Sequence, residues 1–587
     1  CLRSRPRALI FLAALFIYNA NLRSIGAGDT VPAALFPFAA VVDHTVTFDR
    51  YEPYCSAHVS PGTYFFRRGR NGRAYSLYPI ALPLLLTPLY APFILASGAR
   101  SWPTRKIVEV ALCVEKIPAS LIAALSAALL FGLLRRLLGP RSALVLTVVF
   151  ALGTESWMIS SQALWQHGGS ALAVIASLDR ISLAAGERRL AQLALAGLFA
   201  GLSVAIRPTN AAFLAVSSVV LFAPALRDVR GILAYSAGPA VVGALVAAYN
   251  QAAFGDLRGG YGVPGVVGYA FMTPFLAGLA NLLVSPSRGL LVYCPVLIFS
   301  LVGVVAWCRA KDRLCPPVYL ISGATALAYL VSFSKWTLWW GGHTYGPRYF
   351  TDVGPCLVVL MAPAVGLIRR HPALRGLFAL TLAASIAAQA LGAFCYPNGD
   401  WNGRPEPVDS HRDRLWDWRD NQIRRTLAGG VVGDPLARLR SALEPTPEEL
   451  DARFEALPRR LFALEGDWPS RSRLLSAVAS AGADGVTLTA SGDDPQVILP
   501  AFDFPARAPV VLRVDLTAPA DTVLQVFWAT AAAPDYAEAR SLVAPLRKGR
   551  SRVCLELPGG DLAGRLRLDP GTVPGAYTLH SLEARSE

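Results

Sequence analysis

Polar side chains beside long apolar runs are costly to place, so those that occur there are the first candidates for chemistry. One carboxylate stands just after the first apolar run, in Asn21-Leu22-Arg23-Ser24-Ile25-Gly26-Ala27-Gly28-Asp29-Thr30. Asp29 is isolated, and the apolar segment Val31–Val42 follows it. A carboxylate in that place can act as general base on a hydroxyl. It can equally cap the helix that follows, since Asp is a good N-cap. Asp43 and Asp49 are weaker competitors, and they keep a divalent metal open as a cofactor. No other cofactor is indicated and no metal ligand set is assigned.

Cations form a second, dispersed set: Lys116, His167, Arg207, Arg288, Lys335, His343 and Arg348. Each lies near the end of an apolar run. Together they suit a lipid-linked phosphate, which Arg can grip with two donors. Singly, each also reads as an anchor whose charged tip reaches to lipid headgroups. The third candidate is the loop Lys335-Trp336-Thr337-Leu338-Trp339-Trp340-Gly341-Gly342-His343-Thr344-Tyr345-Gly346-Pro347-Arg348-Tyr349. Its aromatic residues fit a membrane interface. Trp339, Trp340, His343 and Tyr345 also fit a sugar, whose ring stacks on Trp while glycines allow close backbone approach. The basic run Arg67–Arg73 contains Asn71-Gly72 and reads as a solvated hairpin tip.

The elements that must position these groups follow from composition. The chain has 587 residues, 53% hydrophobic and 16% charged, with mean hydropathy +0.42. A soluble protein carries about 25% charged residues. A fully soluble enzyme, a disordered chain and a disulfide-rich module are excluded. The nine cysteines include no Cys-x-x-Cys pair, so free thiols are expected, with a Cys55–Cys395 disulfide the alternative.

Apolar runs of span length lie at about 8–22, 107–134, 142–158, 167–184, 190–206, 209–225, 231–250, 288–307, 317–334, 351–368 and 376–394. Basic clusters at Arg135–Arg141, Glu187–Arg189, Arg227–Arg230, Arg309–Arg313 and Arg369–Arg375 alternate with loops poor in charge. Positive loops stay cytoplasmic. They share one side with the basic N-terminus only if Leu77–Ser97 does not cross. That stretch holds Pro79, Pro83, Pro88 and Pro92, which disfavour a straight span. It reads as a re-entrant or surface helix. The expectation is about eleven spans, a cytoplasmic N-terminus and a long first external loop at about 23–106.

The tail changes character. Residues 395–479 read as an external linker with helices, including 435–465. From about 480 the period becomes two: Leu512, Val514 and Leu516 alternate with Arg513 and Asp515. Residues 480–587 therefore read as an extracytoplasmic β-sandwich, either carbohydrate-binding or a structural cap.

This arrangement resembles the GT-C superfamily of polytopic membrane glycosyltransferases, most nearly the protein O-mannosyltransferase and aminoarabinose transferase branches. Asp29 takes the place of their catalytic carboxylate. Leu77-Tyr78-Pro79-Ile80-Ala81-Leu82 is similar to a motif that opens a juxtamembrane helix in such proteins. Ser161–His167, Arg207–Asn210, Arg288–Tyr293 and Trp340–Tyr349 also look like their segments. The resemblance covers about residues 8–394. It departs where Thr30 follows Asp29 and where no Asp-x-Asp motif appears. Arabinosyltransferases of the superfamily also end in a carbohydrate-binding sandwich.

The resemblance implies an inverting glycosyltransferase with a catalytic domain over 1–394. Its donor is a polyprenyl-phosphate sugar, and its acceptor is a hydroxyl of a glycan, lipid or protein. Asp29 is the base. Lys116, His167, Arg207, Arg288, Lys335 and Arg348 hold donor phosphate, and Trp339, Trp340, His343 and Tyr345 hold substrate. Membrane lipids are partners and nucleic acid is not. The few lysines among the 55 basic residues suggest a GC-rich bacterial genome and an inner (plasma) membrane. The rival readings are a transporter or flippase of a lipid-linked saccharide and a non-catalytic glycan-binding scaffold.

Overall fold

The computed structural model describes residues 5–60, 63–184, 189–223, 228–262, 271–309, 317–464, 468–482, 484–504, 510–530, 532–557 and 562–587. Glu187, Arg188, Arg227, Lys311 and Arg313 of the expected basic loops lie outside them. Two compact units divide the chain, Cys1–Leu443 and Glu444–Glu587.

The first unit is helical. Among the described residues, five helices are long and apolar enough to cross a membrane: Thr104–Leu137, Arg189–Ile206, Val229–Phe254, Pro317–Lys335 and Pro372–Cys395. All five coincide with expected spans. Other expected spans are built from shorter pieces. Run 142–158 becomes the helix Pro140–Leu152 followed by a π-helical turn, Ser156–Ser160. Run 351–368 breaks into Gly354–Leu360 and Val365–Arg370 around Pro363. Leu77–Ser97 holds a helix of 16 residues, Ala81–Ala96, with Pro88 and Pro92 inside it. That is shorter than the roughly 20 residues a span requires.

Close helix contact explains two glycines. A Cβ on Gly197 would stand 1.8 Å from the Tyr235 carbonyl oxygen, and one on Gly201 would stand 2.7 Å from Pro239 Cα. Small residues one turn apart thus let Arg189–Ile206 lie directly on Val229–Phe254. The irregular segment after Leu152 is buried throughout, from Gly153 to Trp165. Non-helical backbone at such depth is tolerated where it is enclosed by protein or lines a cavity.

The stretch Tyr396–Gln422, expected in a linker, belongs to the first unit. Asn402 and Gln422 are buried and bonded to the 341–346 loop. The boundary therefore falls after Leu443, not after 394.

The second unit contains two antiparallel sheets. One runs Ser541–Leu546, Thr522–Thr530, Leu562–Asp569, Gln496–Ile498, Arg473–Leu475. The other runs Gly549–Leu557, Val510–Ala518, Gly575–Ser586, Gly485–Ala490, Ala477–Gly482, with Arg459–Ala463 also on Gly575–Ser586. Leu512, Val514 and Leu516 share one core with Leu524, Val526 and Leu566 of the other sheet. Strand structure starts at Arg459, ahead of the expected 480. Pro458 follows the helix Pro447–Ala456, so Leu461 is in a strand and not in the helix expected over 435–465.

The described cysteines are free, Cys55 and Cys395 included.

Candidate active site

Asp29 lies in a 3-10 turn, Gly28–Thr30, that leads into the helix Val31–Val42. It is not a cap. Thr30 holds the N-cap position and no side chain bonds the first turn. Its two oxygens serve other groups. Oδ1 accepts from the hydroxyls of Tyr64 at 2.7 Å and Tyr78 at 2.6 Å. Oδ2 accepts from Arg348 Nη1 at 2.6 Å. Gly28 permits this, because a Cβ there would lie 2.5 Å from the Tyr64 hydroxyl. Burial raises the Asp29 carboxyl pKa. The Arg348 charge and the bonds from Tyr78, Tyr64 and Arg348 more than reverse this, so the carboxyl sits below its usual range. Burial and the Asp29 charge push the Tyr64 phenol up, which keeps it a donor.

Arg348, expected on phosphate, is thus paired with the carboxylate expected to be the base. Its guanidinium lies 5.2 Å over the Trp165 ring and 5.6 Å from that of Tyr349. Trp165 in turn stands 6.4 Å from the His167 ring. His167 leads to a second node that the sequence reading missed. Asp352 is fully buried and gathers His167 Nδ1 at 2.9 Å, Arg207 Nε at 2.7 Å and the Ser170 hydroxyl. Tyr261 lies within electrostatic reach of Arg207, Asp29 and Arg348 and packs 6.3 Å from Tyr78. The two nodes therefore adjoin. A lone carboxylate four residues beyond Arg348, at the start of an apolar run, was the available signal for Asp352.

Lys116 is buried, and its ammonium donates to Gln162 Oε1 at 2.5 Å. Among the described residues no carboxylate pairs with it. Glu115 faces elsewhere and accepts from Ser24 at 3.0 Å and from the Leu164 N–H at 2.9 Å. Together with Ser24, Gly26, Gly28 and Thr30 it lines a cleft of about 300 Å³ that Arg438 and His58 also border.

The remaining candidates separate from this group. Arg288 is 1% exposed, and its donors go to the carbonyls of Trp340, Ser287 and Gly342 and to Gln422 and Asn402. Five neutral acceptors consume its five N–H groups, so it holds the 340–342 loop and has no donor left for phosphate. Tyr345 is fully buried against Tyr293 and bonds the Ala388 carbonyl at 3.0 Å, so it is a core residue and not a sugar contact. Trp339 and Trp340 are also buried, packed edge to face. Trp340 Nε1 donates to Asp409 at 2.7 Å, and Asp409 also faces His343 Nε2 at 3.3 Å. Lys335 is half-buried at the end of Pro317–Lys335. Asp43 and Asp49 lie apart from Asp29, each paired with Arg. Among the described residues no three His, Cys, Asp or Glu side chains form a group able to hold a metal.

No family model and no curated protein matches the chain. Among solved structures, ArnT from Cupriavidus metallidurans bound to undecaprenyl phosphate is 15% identical over 70% of this chain and 68% of that one, with TM-score 0.42. The arabinosyltransferase EmbB from Mycobacterium smegmatis is 13% identical over 99% of this chain, with TM-score 0.39, and the match spans 64% of its length. Both are GT-C glycosyltransferases. A carbohydrate-binding module of Cellvibrio mixtus lichenase 5A, in complex with cellotriose, is 9% identical over 22% of this chain and 98% of that one, with TM-score 0.17.

Proposed function

We propose that the chain is an inverting glycosyltransferase that moves a sugar from a polyprenyl-phosphate donor to an acceptor hydroxyl, with Asp29 as general base. The observation that carries this is the constellation around Asp29. One ionised carboxylate at the mouth of an apolar helix is held by two phenols and a guanidinium, and the Asp352 node with Arg207 and His167 adjoins it. Such a carboxylate takes the proton of the acceptor hydroxyl. The oxygen attacks the anomeric carbon, and the bond from that carbon to the phosphate oxygen breaks with inversion. The electron pair leaves with the polyprenyl phosphate. Arg348 and Lys116 supply the donors for the charge that grows on that phosphate, where fixed cations act most strongly. Asp352 keeps Arg207 and His167 oriented beside them.

In this reading about eleven apolar segments cross the membrane, with the N-terminus cytoplasmic and the Asp29 face external. The second unit is an extracytoplasmic β-sandwich, and the membrane is a bacterial inner membrane.

The purified full chain is incubated with a radiolabelled polyprenyl-phosphate sugar and cell-envelope acceptors. Free polyprenyl phosphate is expected in equal amount to transferred sugar. Intact donor crossing a bilayer, with no free polyprenyl phosphate formed, would contradict the proposal.

A further inference from the structure

We infer that a polar cavity at the far end of Val31–Val42 is a second saccharide subsite. It holds a sugar several units back from the reacting hydroxyl, which makes the acceptor a neutral oligosaccharide. The inference rests on the glycosyltransfer reading above.

The cavity measures about 330 Å³, at the lower end of the range for small-ligand sites. It is lined by Asp43, His44, Thr45, Thr47, Asp49, Arg50 and Arg73. Among the described residues no apolar side chain lines it, so a lipid chain or an aromatic group gains nothing there. The charges cancel: Arg50 lies 2.7 Å from Asp43, Arg73 lies 2.9 Å and Arg68 3.5 Å from Asp49, and Arg68 also reaches Glu52 at 2.5 Å. A phosphate needs unspent positive charge and a metal ion needs unspent negative charge, and this cavity supplies neither. A sugar hydroxyl both donates and accepts, which suits carboxylates, threonines and arginines set side by side.

The walls are also fixed in advance. Asp43 takes the Tyr51 hydroxyl at 2.5 Å, Asp49 takes the Ala74 N–H at 2.8 Å, and the Thr45 and Thr47 hydroxyls bond each other at 2.9 Å. A ligand therefore spends little ordering them. His44 stands exposed at the rim with φ of 52°, in the left-handed region.

Position ties this cavity to Asp29. The two flank a helix of 12 residues, a distance of about 18 Å. The hairpin Phe66–Arg68 and Ala74–Ser76 serves both places. Its turn supplies Arg73 to the cavity, and its flanks supply Tyr64 and Tyr78 to Asp29.

The full chain in detergent is titrated with fluorescently labelled neutral oligosaccharides prepared by partial hydrolysis of the producing cells' envelope. Wild type and Asp29→Asn should bind them equally. Arg73→Gln and His44→Asn, both exposed positions, should each weaken binding about tenfold. In the transfer assay they should raise the acceptor KM with kcat unchanged. Undiminished binding by both variants, binding of the anionic fraction alone, or no binding by wild type overturns the subsite. Failure of the transfer reading shows separately, as transfer retained by Asp29→Asn.

Discussion

The basicity of Asp29 depends on Arg348. Its pKa is held below the usual carboxylate range chiefly by that guanidinium acting against burial. A base of this kind stays ionised as pH falls, and activity is lost only when pH drops through the depressed value. In Arg348→Gln the opposing charge is gone and the carboxyl rises. The acid limb of the kcat/KM profile should therefore move to higher pH. A limb that stays in place would show that Arg348 does not set the Asp29 charge. At the neighbouring node, Asp352→Ala leaves Arg207 and His167 without their buried anion. Removing one partner of a buried pair costs about 3–5 kcal/mol. A matching fall in thermal stability is expected in detergent, with Asp352→Asn milder because an amide still bonds its neighbours. Unchanged melting in the alanine variant would mean that the node carries no stability. Asp29, Lys116, Arg207 and Arg348 were legible in the sequence because polar groups beside apolar runs stand out. Their partners were not. Asp29 and Arg348 are 319 positions apart, and no local pattern marks which cation meets which carboxylate. Arg288 and Tyr345 read differently for the same reason: type and position show a charge or a ring, while all but one of the acceptors that consume it come from distant segments.

Helices were more legible than breaks. The five long apolar helices fall where hydropathy places them, because length and composition alone suffice. Pro140–Leu152 and Gly354–Leu360 end early because Gly153 and Pro363 interrupt runs that remain apolar by composition. That interruption turns Gln162, Trp165 and His167 toward Lys116, Arg348 and Asp352. The glycine contact between Arg189–Ile206 and Val229–Phe254 was not read from the sequence. It makes a clear prediction. Gly197→Leu drives a side chain into the Tyr235 carbonyl and should cost at least the roughly 1–3 kcal/mol of overpacking. Gly243, on Val229–Phe254, has open space beside it. Gly243→Leu should leave the melting temperature unchanged or higher. Equal behaviour of the two variants would remove the packing account.

At the scale of the molecule, charge divides as structure does. Residues 444–587 hold 15 basic and 20 acidic side chains, so residues 1–443 carry the whole positive excess of a chain whose net charge is +15. Much of that excess sits in the basic segments between the apolar runs. The cations paired with Asp29 and Asp352 are only two, Arg348 and Arg207, with Lys116 buried on Gln162. The central claim rests on those cations and on one carboxylate. Its most direct test is sugar transfer by Asp29→Asn, assayed with the same donor and acceptor as wild type. Elution as a single species and unchanged melting establish that the variant is folded. Loss of a positioned general base predicts a fall in kcat of about 10²–10⁴-fold with donor binding intact. Transfer at the wild-type rate by the folded variant would contradict the account.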